Sequence, residues 1–175
     1  MQTAVPEARG GSAGERITLR THRPGDIGWI IHRHGVLYAA EYGWDQTFEA
    51  AVADVGADFL RHFDPAHERC WIAEVDGSWA GSVMLIRRRG EDDVAQLRLL
   101  LVEPAARGLG LGRRLVRTCT EFARPLGYRS IVLWTSDRLL GARRLYEQEG
   151  YRLVETRPHD NYGQNMKGEV WEKPL

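Results

Sequence analysis

The 175-residue sequence has little cysteine: Cys70 and Cys119 are the only two, and they stand in no C-x-x-C arrangement. A disulfide framework is therefore not expected, and both thiols read as packing residues of a reducing compartment. Net charge is also absent, because 24 basic residues balance 24 acidic ones. No global field then draws the chain to nucleic acid or to an anionic membrane, and any basic site has to be local. No apolar run approaches the roughly 20 residues that a membrane-spanning helix needs. The opening MQTAVPEARGGSAGER lacks the apolar centre and basic flank of a secretory leader. A cytoplasmic protein with no nucleic-acid and no membrane partner is expected. No metal is expected either, since His62, His67 and Cys70 straddle a helix end, Pro65 and a strand without a fourth ligand for tetrahedral zinc.

What is present fits one domain. Residues 1–15 are small, polar and without periodicity, so they read as a disordered arm, and residues 16–175 as the folded unit. Residues 16–20 suggest a first strand. Ile27, Ile30, Ile31, His34 and Tyr38 then recur at helical spacing, with His32 and His34 on different faces. Asp45 is placed to cap a second helix carrying Phe48, Val52, Val55, Phe59 and Leu60, which Pro65 ends. Asp76-Gly77 between two alternating runs predicts a tight antiparallel hairpin. Val94 to Val102 finishes in four consecutive apolar residues, as a strand covered on both faces does. A long amphipathic helix follows from Leu111 to about Leu126, then a short strand at Ile131 to Trp134 and a helix capped by Ser136 or Asp137. Tyr151 to Arg157 and Glu169 to Lys173 read as closing strands joined by a polar loop. The class is α/β, in the sense of a mixed α+β sheet.

Chemistry concentrates between the strand ending at Val102 and the helix starting at Leu111. A helix N-terminus and successive backbone N–H groups there form an anion pocket. Gly108, Gly110 and Gly112 permit positive φ and keep side chains away from a phosphate, and Arg107 and Arg113 add charge. The spacing excludes two common phosphate loops. A dinucleotide fingerprint needs glycine where Arg113 stands, and a P-loop needs a terminal Gly-Lys-Ser/Thr.

Arg107-Gly108-Leu109-Gly110-Leu111-Gly112 resembles the Arg/Gln-x-x-Gly-x-Gly/Ala signature of the GNAT superfamily of N-acetyltransferases. Val102-Glu103-Pro104 before it, Leu115 in the next helix, and Ala142 to Tyr151 later match that family in order and spacing. The chain is similar to the acetyltransferase domain of MarR-GNAT bacterial proteins, without their DNA-binding domain. The resemblance implies a single-domain GNAT fold with a central, mostly antiparallel, splayed sheet flanked by helices. It further implies acetyl-CoA as cofactor, its pantetheine arm bonded to the free strand edge at Leu100, Leu101 and Val102, and its pyrophosphate held by residues 107–113. A primary amine of a small molecule attacks the thioester directly, and Tyr146 matches the tyrosine that protonates the leaving thiolate. A homodimer is left open.

Two departures stand out. Leu139 replaces the asparagine that often contacts the cofactor seven residues before the tyrosine, with Ser136 as a substitute one turn earlier. Gln96 and Arg98 stand where many relatives carry an acid, so no general base is evident. Glu103 is read as an orienting or solvated acid. Glu41, among Tyr38, Tyr42 and Trp44, is the candidate for drawing in the acceptor's ammonium, opposite the cofactor loop. Protein or peptide N-acylation and a non-catalytic acyl-CoA-binding module are the competing functions.

Overall fold

The computed structural model describes residues 17–159, of which the His159 side chain is left aside, and residues 161–175. The expected arm falls outside them. Seven strands, β1 (Ile17–Thr21), β2 (Arg69–Val75), β3 (Ser78–Arg87), β4 (Val94–Val102), β5 (Ser130–Ser136), β6 (Arg152–His159) and β7 (Met166–Pro174), form one sheet in the order β1-β2-β3-β4-β5-β7-β6. Every neighbouring pair is antiparallel except β4 and β5. Four α-helices, α1 (Asp26–Tyr42), α2 (Gln46–His62), α3 (Leu111–Ala123) and α4 (Leu140–Gln148), cover the sheet.

Strand alternation sorts the helices onto two faces. Trp71 and Ala73 of β2 join the core beneath α3 and α4, with Leu115, Val116, Cys119 and Tyr146. Cys70 and Ile72, one residue out of phase, join Ile27, Ile30 and Phe59 of α1 and α2 on the other face. Burying a side chain such as Phe59 stabilises the fold by roughly 1.5–3 kcal/mol, so both faces matter.

Local signals act largely as expected. Asp76 and Gly77 take φ of 52° and 78° in the β2–β3 hairpin, and Asp45 Oδ1 accepts the Thr47 N–H at 2.9 Å to cap α2. The cap expected for α4 is a correction. That helix starts after Leu139 with no side-chain cap, because Ser136 Oγ accepts the Arg138 N–H at 3.2 Å, in the turn before it. The closing strands are longer than the sequence suggested, since β-pairing continues through Pro158 and His159 to Lys167 and Met166.

One irregularity shapes the site. Register passes from Met84↔Arg98 to Ser82↔Leu101, so β4 places Leu99 and Leu100 opposite the single residue Val83. Leu99 adopts φ 50°, a left-handed conformation costing roughly 1–2 kcal/mol for a residue with a side chain, and Ser82 Oγ donates to its carbonyl at 3.1 Å. A bulge of this kind bends its strand. Pairing between β4 and β5 stops at Leu97↔Leu133, and the two strands splay beyond it.

Candidate active site

The splay opens into a cavity of about 620 Å³ whose walls come from four places. β4 supplies Leu100, Leu101 and Val102, and the following loop supplies Arg107, Gly108, Gly110, Leu111, Gly112 and Arg113. α1 adds Tyr38 and Glu41, and α4 adds Ala142 and Leu145. Nearly the whole predicted cofactor set is thus brought together. Leu109 is the exception within the loop: its side chain is 40% exposed and outside this lining.

The loop's geometry explains its glycines, with one correction. Gly108 and Gly110 have φ of 80° and 74°, and a Cβ on either would meet no atom within 4 Å, so a side chain there would extend into open space at the groove's mouth. Gly112 has ordinary helical geometry. Its demand is space, because a Cβ would meet Leu145 Cδ2 at 3.2 Å. The first α3 bond runs from Arg114 N–H to Gly110 O at 3.1 Å, which leaves the N–H groups of Leu111, Gly112 and Arg113 without a partner inside the helix. These donors, the helix dipole and Arg107 suit a diphosphate. The unpaired β4 edge suits an amide-containing arm. The residues present therefore fit coenzyme A.

Charged neighbours pin the groove. Arg33 of α1 forms a two-pronged ion pair with Glu103, at 2.6 and 2.8 Å, locking the end of β4 to α1. Arg113 reaches Gln148 at 2.6 Å and Glu149 at 3.2 Å, joining the loop to α4. Arg107 Nη2 lies 2.6 Å from Glu41 Oε1. This last contact corrects the placement expected for Glu41. It stands on the cofactor side, bound to the loop it was supposed to oppose, because α1 runs alongside β4 and its last turn overlies residue 107.

Tyr146 is buried in the core beneath α4, 5.7 Å ring to ring from Tyr151. Burial raises its pKa, with smaller contributions from Tyr38 and Cys119, so it holds its proton throughout the neutral range. Tyr38 is raised for the same primary reason. Tyr38 lines the groove directly, a placement that sequence reasoning had treated only as aromatic wall. Leu139 also lines it, at the position of the missing asparagine. Ser136 does not. It is buried against Met166, its Oγ 3.3 Å from the sulfur, and opens onto a different cavity.

That second cavity, about 420 Å³, lies on the α1–α2 face of the sheet. Trp44 and Phe48 bound it from the helix junction, Trp134 from β5, Glu155 and Arg157 from β6, and Tyr162 from the β6–β7 turn. Tyr38, Trp44, Phe48 and Tyr162 form a continuous ring cluster with centroids 4.6–5.1 Å apart, running from the wall of the groove to the wall of the second cavity. His34 stacks on Tyr38 at 5.6 Å and bonds to Ile30 O through Nδ1 at 2.8 Å, and burial lowers its pKa to about 4. His32 is exposed. Among the described residues no helix is long and apolar enough to cross a membrane.

Comparison with known proteins agrees with this geometry. Residues 36–151 match the model of the acetyltransferase (GNAT) family. An uncharacterized N-acetyltransferase of Schizosaccharomyces pombe is 34% identical over 123 residues, covering 70% of this chain and 75% of that protein. The N-acetylaspartate synthetase of Danio rerio is 30% identical over 110 residues, but these are 63% of this chain and only 38% of the synthetase. The structure of yncA from Salmonella typhimurium, solved with acetyl-CoA as its cofactor, superimposes with a TM-score of 0.70 at 21% identity, over 91% of this chain and 94% of that one. At that identity the likeness speaks for the fold.

Proposed function

The chain belongs to the acetyltransferase (GNAT) family and is an acyltransferase, and from that premise we propose that it moves an acetyl group from acetyl-CoA to the primary amine of a small molecule. The observation that carries the reading is the pairing of a backbone-lined groove, ending at the α3 N-terminus, with a separate aromatic cavity across the splayed strands. Acetyl-CoA supplies an acetyl group activated as a thioester. The free edge of β4 orients the pantetheine amides, and residues 107–113 hold the diphosphate. N–H groups of that edge would be the donors available to stabilise the thioester carbonyl oxygen. Tyr146, kept protonated by burial and set behind the Ala142 and Leu145 wall of the groove, would supply the proton to the departing sulfur. With Gln96 and Arg98 on β4 where a base would stand, the acceptor would react as the neutral amine, and the proton its nitrogen sheds after attack would return to the phenolate left on Tyr146.

An acceptor cavity of about 420 Å³ with aromatic walls favours a small molecule over a peptide, which would need a long open channel. One relative is named for an acetylated amino acid, N-acetylaspartate, a product of that size. The experiment is thiol release from acetyl-CoA by the purified protein across a panel of amines and short peptides. Turnover with small amines supports the reading. Turnover confined to peptides, or acetyl-CoA binding without transfer to any amine, would replace it with peptide acylation or a binding module respectively.

A further inference from the structure

We infer that the acceptor carries a carboxylate beside its amine, an apolar amino acid being the substrate class, and that Arg98 receives that carboxylate. The inference rests on the acetyltransferase reading above. Arg98 follows Leu97, the last β4 residue paired with β5, and precedes the bulge at Leu99. Gln96 stands level with Val132 in the parallel pair, so continued alternation puts Arg98 on the sheet face of Trp134. That is the face on which the aromatic cavity lies, at the point where the strands part; Arg98 stands behind the residues that line the cavity, within the field of Tyr162, which does line it.

The side chain is partly buried, yet among the described residues no carboxylate pairs with it. The acid that acts on it electrostatically, Asp58, is already held by Arg89 at 3.3 Å and by His62 at 2.9 Å. The other polar group in its field is the phenol of Tyr162, a wall of the cavity; each shifts the other's titration. Desolvation accordingly lowers the Arg98 pKa. Contrast the remaining arginines of the site: Arg33, Arg107, Arg113 and Arg143 each have a carboxylate partner. A cation drawn from water without a partner is costly, and the cost is recovered when a ligand brings the anion.

The charged residues that line the cavity are all paired. Glu155 pairs with Arg157, Arg88 with Glu91, and Glu169 with Arg143. No acid is left to grip a bare ammonium, and the uncommitted group is a guanidinium. Such a group does two things for an amino acid. It binds the carboxylate with two parallel hydrogen bonds, and its positive charge disfavours the neighbouring ammonium, promoting the neutral amine that attacks. Trp44, Phe48, Trp134, Tyr162 and Met166 leave the rest of the cavity apolar, which suits a hydrocarbon or aromatic side chain.

The test uses matched acceptors: phenylalanine and tryptophan, their amides, and the decarboxylated phenethylamine and tryptamine. Thiol release from acetyl-CoA is followed with wild-type protein, Arg98→Met and Arg98→Lys. We expect kcat/KM for the acids to exceed that for amides and decarboxylated amines by about 10-fold to 100-fold, the scale of one charge-assisted contact. Arg98→Met should erase the preference through the acid's KM, with acetyl-CoA affinity intact, and Arg98→Lys should restore part of it. Binding of 3-phenylpropionate, a carboxylate without an amine, read by tryptophan fluorescence, should weaken about 10-fold in Arg98→Met. Equal turnover of acids and decarboxylated amines, or a preference that survives Arg98→Met, overturns the inference and leaves the acetyltransferase reading standing. Absence of transfer to every amine, with the fluorescence response still dependent on Arg98, removes the acetyltransferase reading and keeps the carboxylate site.

Discussion

Around the cofactor groove the working groups belong to the main chain: the β4 edge, two left-handed glycines and the first N–H groups of α3. Across the splay the walls are side chains, an aromatic cluster assembled from α1, the α1–α2 junction, α2 and the β6–β7 turn, with Trp134 of β5 beside it. The first kind of site is written into a few adjacent residues and is sensitive to added negative charge and, at Gly112, to added bulk. The second is spread over the whole chain and is open to retuning one residue at a time. A generic diphosphate carrier and a variable acceptor are what such a pair is suited to hold.

The sharpest way to break the comparison is Gly110→Asp. It adds both a side chain at φ 74° and a carboxylate at the diphosphate's place. Acetyl-CoA affinity should fall more than about 100-fold by calorimetry, whereas the left-handed strain costs stability only about 1–2 kcal/mol. Gly110→Asn carries the same backbone strain without the charge and should lose far less affinity. If the two variants bind alike, the site is steric and the anion pocket is misassigned.

Tyr146→Phe tests the one side chain on which the groove's proposed chemistry relies. Ring packing against Tyr151 is kept, so cofactor affinity should hold while kcat falls about 10-fold to 1000-fold. Unchanged turnover with acyl transfer rate-limiting would pass the donor role to another group, and Tyr38, which lines the groove, would be examined next.

His34 joins the two halves, since it stacks on Tyr38 and lies 6.3 Å from Phe48. Burial holds its folded pKa at about 4, below the ordinary 6.5. Between those values the unfolded chain takes up a proton that the folded one refuses. Stability is therefore intact above pH 6.5 and falls as pH drops toward 4, by about 1.4 kcal/mol per unit and roughly 3 kcal/mol in all. His22, lowered chiefly by desolvation, adds to the same window. Urea unfolding at pH 7.5, 6 and 5 should show this slope in wild type and a shallower one in His34→Gln. An unchanged slope would assign the acid sensitivity elsewhere.

The sequence was most legible where one physical demand fixes neighbouring residues. Asp45 as a cap, Asp76-Gly77 as a hairpin and the apolar stripe of α3 all follow from local geometry. The glycine loop leading into α3 was legible for the same reason, even though Gly112 serves space and not positive φ. Long-range pairing was not. Ser136 looked like a cofactor contact until its hydroxyl proved committed to the turn before α4, and nothing near Leu99 in the sequence announces a left-handed leucine. Arg98 was noticed only as a missing base, because its lack of a partner depends on residues 40 positions before it and 64 after. Glu41 was misplaced because the last turn of α1 meets a loop 66 residues away.

Glu41→Gln yields the smallest effect and asks on which side of the divide this residue acts. If Glu41 belonged to the acceptor cavity, losing its charge would raise the acceptor's KM and leave acetyl-CoA untouched. In the structure the carboxylate lines the cofactor groove and holds Arg107 at 2.6 Å, a half-exposed pair. Such pairs contribute about 0.2–1 kcal/mol, and Arg107 is also the loop's first cation. Releasing it takes a negative charge from the groove and leaves the guanidinium free to meet a diphosphate, at the expense of some ordering of the side chain. The variant should therefore bind acetyl-CoA up to about 5-fold more tightly at low ionic strength, with the gain fading in salt and the acceptor's KM unchanged. A raised acceptor KM at constant cofactor affinity would move Glu41 back to the acceptor half, and weaker cofactor binding would mean that the ion pair orders Arg107 for the phosphates instead of competing with them.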